Sequence, residues 1–219
     1  MNADKNIPEK SGRFIRRTGK KDDTVILIHG WGVRALFMDR LADFLIGDGY
    51  TVLNYDYLTS RKHIPEHAAD FLARFREENI TGKIFFLTHS MGGLVLRHAM
   101  ANMTSEECRR IDSIVMLGPP NKGSLLAIPG RLPVLNWFNR SWGDMVPGSK
   151  NLQIPAPAYL PPVGIIAGLR DGKVAFKDTA LPDGMPFERT CADCSHPGLR
   201  HPENTGAQIL KFFRKKTFI

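Results

Sequence analysis

The amino-acid sequence predicts an α/β domain: a mainly parallel sheet with helices on both faces and one short insert. Three observations carry this. Short apolar runs rich in β-branched residues alternate with stretches of helical period. The runs are continuous rather than alternating, which suits strands buried on both faces. The 219 residues, 42% hydrophobic and 24% charged, fit one soluble globular domain that can bury its core without disulfide staples.

Taken in order, Thr24–Ile28 is the first clear strand. Residues 34–47 follow as a helix, with Leu36, Phe37, Leu41, Phe44 and Leu45 at helical spacing and Gly47 and Gly49 ending it. Residues 51–55 are the next strand. Pro65 opens a helix whose apolar stripe is Ala68, Phe71, Leu72 and Phe75. Residues 83–87 read as a strand, 91–102 as a helix and 111–117 as a strand. The rhythm then breaks over residues 118–162, which hold nine of the fifteen prolines. A strand resumes at 163–167, another falls near 187–190, and a last helix runs from about Pro202 to Phe213. Repeated β-α units imply right-handed crossovers, with functional groups gathered beyond the carboxyl ends of the strands.

The strongest chemical signal is Leu87-Thr88-His89-Ser90-Met91-Gly92-Gly93, a buried strand turning abruptly into a helix. A serine on that turn projects its hydroxyl from the sheet edge, and the helix start supplies N–H groups for an oxyanion. The usual pattern is G-x-S-x-G; here Thr88 replaces the first glycine. The plain alternative is a serine that only caps a helix. The second signal is Ile28-His29-Gly30-Trp31-Gly32, directly after the first long strand. Acyl transfer needs two N–H donors aimed at the developing oxyanion, and Met91 and Trp31 are the candidates. His29 and His89 are expected to shape the site walls.

A serine nucleophile needs a base, and the base an orienting carboxylate, in the chain order Ser, acid, His. Asp171 lies just past a strand end, which favours it over Asp178, Asp183 and Asp193. Only His196 and His201 follow Asp171. His196 sits in a loop before the last helix, whereas His201 touches the helix start. Within the insert, Leu125, Trp137 and Phe138 belong to an apolar, proline-broken segment that suits a small cap lining an acyl pocket. Packing of these side chains onto the sheet edge is an equal alternative.

These motifs together resemble the α/β-hydrolase family, in particular its small bacterial lipases and esterases of the triacylglycerol-lipase-like branch. The matching stretches are VILIHGWG, FFLTHSMGGLVLR, IVMLGPPNKGS, RDGKV and the SHP loop, spanning about residues 24–213. The resemblance implies Ser90 as nucleophile, Asp171 as acid, His196 as base, and Trp31 and Met91 as the oxyanion hole. It also implies cleavage of an acyl or lipid-like ester, with no cofactor. Many secreted relatives use an Asp two residues after the histidine to help hold calcium; Gly198 stands there, so no calcium is expected. Acyl transfer or thioester cleavage would use the same residues, and a non-catalytic binding module could share the scaffold.

Charge and cysteine usage bound the setting. The formal net charge is +8. Residues 1–24 carry seven basic against four acidic side chains, and residues 207–219 carry four basic and none acidic. The excess reads as solvated, basic ends with weak attraction to anionic surfaces, not as a nucleic-acid-binding face. No apolar run reaches the roughly 18 residues of a membrane span, and the N-terminus lacks the apolar core of a secretory signal. Three cysteines, Cys108, Cys191 and Cys194, point to reduced thiols and a cytoplasmic setting. Cys191 and Cys194 with His196 and His201 could supply four zinc ligands, but that would consume the base, so no metal is expected.

Overall fold

The computed structural model describes residues 12–132, 134 and 139–219. Its strands are β1 (Arg13–Arg17), β2 (Thr24–Ile28), β3 (Thr51–Asp56), β4 (Ile84–His89), β5 (Ile111–Leu117), β6 (Val163–Gly168) and β7 (Glu188–Ala192). They form one sheet in the order β1-β3-β2-β4-β5-β6-β7. All neighbours run parallel except β1, which pairs antiparallel with β3. The α-helices are α1 (Asp39–Gly47), α2 (Ile64–Glu77), α3 (Met91–Met100), α4 (Ser105–Arg109), α5 (Arg140–Asp144) and α6 (Pro202–Lys215).

The continuous apolar strands feed two cores at once, because successive side chains point to opposite faces. Ile26, Ile28, Ile84, Phe86, Ile114 and Met116 enter one core with Phe71 and Leu72 of α2 and Leu94 and Val95 of α3. Val25, Leu27, Phe85, Leu87, Val115 and Leu117 enter the other with Leu41 and Leu45 of α1 and Ile209 and Phe212 of α6. The helix-period stripes therefore meet the faces their spacing demands.

Outside the insert, where α5 also went unread, two elements escaped the sequence reading. Arg13–Arg17 is not a solvated end but an edge strand: Phe14 turns inward onto Tyr55 and Phe71, with ring centroids 5.1 and 5.8 Å away. Arg16 and Arg17 end in ion pairs at the surface, with Glu78 at 2.6 Å and with Asp43. Basic side chains on an edge strand also discourage pairing with another chain. The basic C-terminal end is likewise folded, since α6 reaches Lys215 and Phe218 packs on Phe212 at 4.8 Å. The second element is α4, where Thr104 and Glu107 form reciprocal side-chain to backbone hydrogen bonds of 3.1 and 2.8 Å.

Candidate active site

The strand order reverses direction at β2 and β4: β3 lies on one side of β2, and β4 with all later strands on the other. Ligand crevices in such sheets open at that switch point, beyond the carboxyl ends. Trp31 lies three residues past β2, Ser90 directly follows β4, Asp171 lies three past β6 and His196 four past β7. Four separate loops thus converge on one edge of the sheet.

Ser90 has φ 53° and ψ −127°, one of two non-glycine positive-φ residues among those described. Such a backbone costs on the order of 1–3 kcal/mol and persists only where its surroundings impose it. The Ser90 N–H donates to the Leu117 carbonyl (2.8 Å), and the Gly93 N–H donates to the Ser90 carbonyl (3.0 Å). Gly92 is required by close approach: a Cβ there would stand 2.2 Å from the Ile28 carbonyl oxygen. Thr88, where the usual motif has glycine, is fully buried. A Cβ at Gly93 would stand 3.0 Å from the Pro119 side chain and at ordinary contact distance, 3.4 Å, from the Thr88 hydroxyl. The Thr88 hydroxyl has no hydrogen-bond partner. Met91 opens α3, so its N–H belongs to the first helical turn, whose donors have no intrahelical acceptor.

Asp171 and His196 meet directly: His196 Nδ1 lies 2.6 Å from Asp171 Oδ2, and both side chains are almost wholly buried. The other carboxylate oxygen accepts the Lys173 N–H (2.8 Å) and the Val174 N–H (2.9 Å). Burial pushes the Asp171 carboxyl up, but the His196 hydrogen bond and charge and these two amides outweigh it, leaving the pKa below the ordinary value. Asp171 is therefore ionised at neutral pH, with its two oxygens given fixed and different tasks. Gly118, at φ +53°, lets the chain pass where a Cβ would lie 3.2 Å from both Asp171 Oδ2 and His196 Nδ1. Asp178 and Asp183 hold no such contact: Asp183 is exposed beside Lys122, and Asp193 pairs with Arg170. His201 lies beside Glu203 at the start of α6.

A cavity of about 330 Å³ opens where these loops meet. Ser90, His196, His89 and Trp31 line it, with Val33, Leu126, Ala127, Trp142 and Met145 supplying an apolar wall. Trp31 stacks on Trp142 at 5.5 Å, and its indole N–H donates to Asn139 Oδ1 (2.8 Å), so the insert closes over the loop that follows β2. The same loop is pinned from beneath. The Gly32 N–H donates to Thr59 Oγ1 (3.0 Å), and Arg34 Nε donates to Asp56 Oδ1 (2.8 Å).

The wall residues expected from sequence fall out unevenly. His89 lines the cavity; its Nε2–H donates to the His196 carbonyl (3.1 Å), and its Nδ1 is buried without a partner. His29 does not reach the cavity. It is fully buried, its Nδ1–H donating to the Gly30 carbonyl (2.9 Å) while its ring stacks on Tyr57 at 4.3 Å. Leu125 points outward, 68% exposed, and its neighbours Leu126 and Ala127 take the lining position instead. The helix-like 3-10 segment Leu125–Arg131 turns by about a third per residue, so adjacent side chains face different ways. Trp137 and Phe138 lie outside the described residues. Trp142, Met145, Lys173 and Arg200 line the cavity without having been singled out from sequence. Lys173 and Arg200 were within reach, standing two residues after Asp171 and four after His196. Cys191 and Cys194 are free thiols.

His29 gives a pH prediction. Burial brings its imidazole down to a pKa of about 4. The unfolded chain, near 6.5, takes the proton first, so this stability is complete above about pH 6.5 and is lost as pH falls towards about 4. The difference corresponds to about 3 kcal/mol. Urea unfolding near pH 7 and near pH 4 is expected to show a shallower acid loss in His29→Gln than in the native protein.

The sequence matches the alpha/beta hydrolase family over residues 25–207, and the chain belongs to that family. Solved structures share the fold. A Bacillus licheniformis lipase in its mature form is 15% identical with a TM-score of 0.69, covering 91% of this chain and 97% of its own. A carboxylesterase of Nitrososphaera gargenis is 16% identical with a TM-score of 0.65, covering 96% and 98%. A thermophilic esterase from Thermogutta terrifontis is 15% identical with a TM-score of 0.62, covering 97% and 96%. Among curated proteins, none matches the chain. Among the described residues, no helix is long and apolar enough to cross a membrane.

Proposed function

We propose that this chain is a serine hydrolase that cleaves carboxylic acyl esters through Ser90, His196 and Asp171. The observation that carries the reading is a strained Ser90 sharing one cavity with an imidazole whose far nitrogen is held 2.6 Å from a buried carboxylate. Asp171 fixes the tautomer with the proton on Nδ1, leaving Nε2 as the acceptor for the serine proton. Ser90 Oγ attacks the ester carbonyl, and the proton passes to His196. The N–H groups of Met91 and Trp31 stabilise the tetrahedral oxyanion, typically worth roughly 3–4 kcal/mol per donor. Collapse expels the alcohol, protonated by His196, and leaves an acyl-enzyme. Water, deprotonated by His196, then releases the acid.

The insert 118–162 acts in this reading as a small cap. Its Leu126, Ala127, Trp142 and Met145 line the cavity and shield the acyl-enzyme from stray water. The names of the structural neighbours, lipases and esterases, agree with an ester substrate. The proposed setting is cytoplasmic, with three free thiols.

Hydrolysis of p-nitrophenyl esters from acetate to palmitate tests the reading. Turnover is expected, with an optimum at acyl chains that fit a cavity of about 330 Å³ and a fall at palmitate. A folded protein that turns over none of them contradicts it. Acyl transfer to an added alcohol would show instead as a new ester among the products.

A further inference from the structure

The cavity wall is not apolar throughout. Lys173 and Arg200 both line it, and no carboxylate stands among its lining residues. Each cation is carried by a loop of the candidate site. The Lys173 N–H donates to Asp171 Oδ1, and its carbonyl accepts the Ser124 hydroxyl at 2.6 Å. Arg200 closes the 3-10 turn Pro197–Arg200, which begins immediately after His196.

Arg200 is incompletely satisfied. Its Nε reaches the Pro197 carbonyl only at 3.4 Å, and its guanidinium lies over the Phe37 ring at 5.1 Å. Its Nη1 is buried without a hydrogen-bond partner. The acids nearest in sequence are engaged elsewhere: Asp171 with His196, Asp193 with Arg170 at 2.9 Å, and Glu203 with Arg40 at 3.1 Å. A buried guanidinium N–H left unpaired is a standing cost to the fold. Arg200 itself borders the cavity, where a ligand oxygen can meet it. The guanidinium fork matches a carboxylate or a phosphate, and a lysine lining the same cavity adds a second positive charge.

We propose that the substrate ester carries an anionic group, a carboxylate or a phosphate, held by Arg200 and Lys173. Its apolar part lies against Trp31, Val33, Trp142 and Met145, which line the same cavity. This deepens the ester-hydrolase reading and rests on it. A neutral ester would fill the apolar lining and use neither cation.

The test uses two matched pairs of esters. Mono-p-nitrophenyl succinate against p-nitrophenyl valerate places the charge on the acyl side. Butyrylglycerol 3-phosphate against butyrylglycerol places it on the alcohol side. In at least one pair, kcat/KM of the anionic member is expected to exceed that of its neutral match by about tenfold or more. The ratio falls towards unity in Arg200→Gln and in Lys173→Gln, and Arg200→Lys recovers part of it. A pair that shows the preference identifies where the anion sits. Ratios at or below unity in both pairs, or ratios that Arg200→Gln leaves unchanged, overturn the proposal.

If none of the four esters is turned over, the ester-hydrolase reading fails separately. Thermal unfolding with added inorganic phosphate or succinate then reads the anion site alone. A rise in Tm that Arg200→Gln removes upholds the cation pair as an anion site. The absence of any rise overturns it.

Discussion

Ser90→Ala is expected to lower ester turnover by at least about a thousandfold while leaving the fold intact. Alanine deletes only the hydroxyl and keeps the backbone position, so cavity and neighbours stay in place. No other residue can take over, because the strand-to-helix turn aims this one side chain into the cavity beside His196. The residual rate would come from substrate binding and the oxyanion donors alone. Thermal unfolding within a few degrees of the native protein would show that lost chemistry, not lost structure, explains the fall.

Asp171→Asn is the second large effect, and its cause is geometric. Oδ1 accepts two backbone N–H groups, from Lys173 and Val174. The asparagine oxygen must stay on those amides, which turns its NH2 towards His196 Nδ1. That nitrogen must then accept rather than donate, and the imidazole carries its proton on Nε2, where the serine proton should go. A fall in kcat of roughly 10⁴-fold is expected, with KM little changed. The rate should recover partly at high pH, where hydroxide and ionised serine need no base. A fall of less than tenfold would mean that the Asp171–His196 contact is structural only.

Much of the fold was legible because parallel strands buried on both faces must be apolar without interruption. Thr24–Ile28 and Ile111–Leu117 fall where the sequence predicts them. Strand β1 was hidden because its one inward residue, Phe14, is surrounded by arginines, and an antiparallel edge needs only alternate side chains inside. Helix α4 carried a readable signal, Thr104 followed by Glu107 at capping-box spacing, but its five residues show no apolar period.

The candidate site was legible where chemistry constrains the residue type and the chain order. Ser90, Asp171 and His196 lie where strand ends and loop positions place them. The walls were less legible, because lining depends on where a side chain points rather than on its type. Leu125 and Leu126 are identical in kind and adjacent, yet only Leu126 faces the cavity. His29 and His89 both precede a sharp turn. Tyr57 packs against the ring of the first and holds it in the core, while the second sits beside His196. Thr88 replaces a usual glycine and is wholly buried, a placement that only the fold reveals.

The whole proposal for this site depends on Ser90 being an activated nucleophile. A fluorophosphonate probe added to the folded protein, followed by intact-mass measurement and peptide mapping, tests it most directly. One adduct per chain is expected, on Ser90, absent in Ser90→Ala and formed much more slowly in Asp171→Asn. A folded protein that forms no adduct, or one labelled elsewhere with Ser90 untouched, would contradict it.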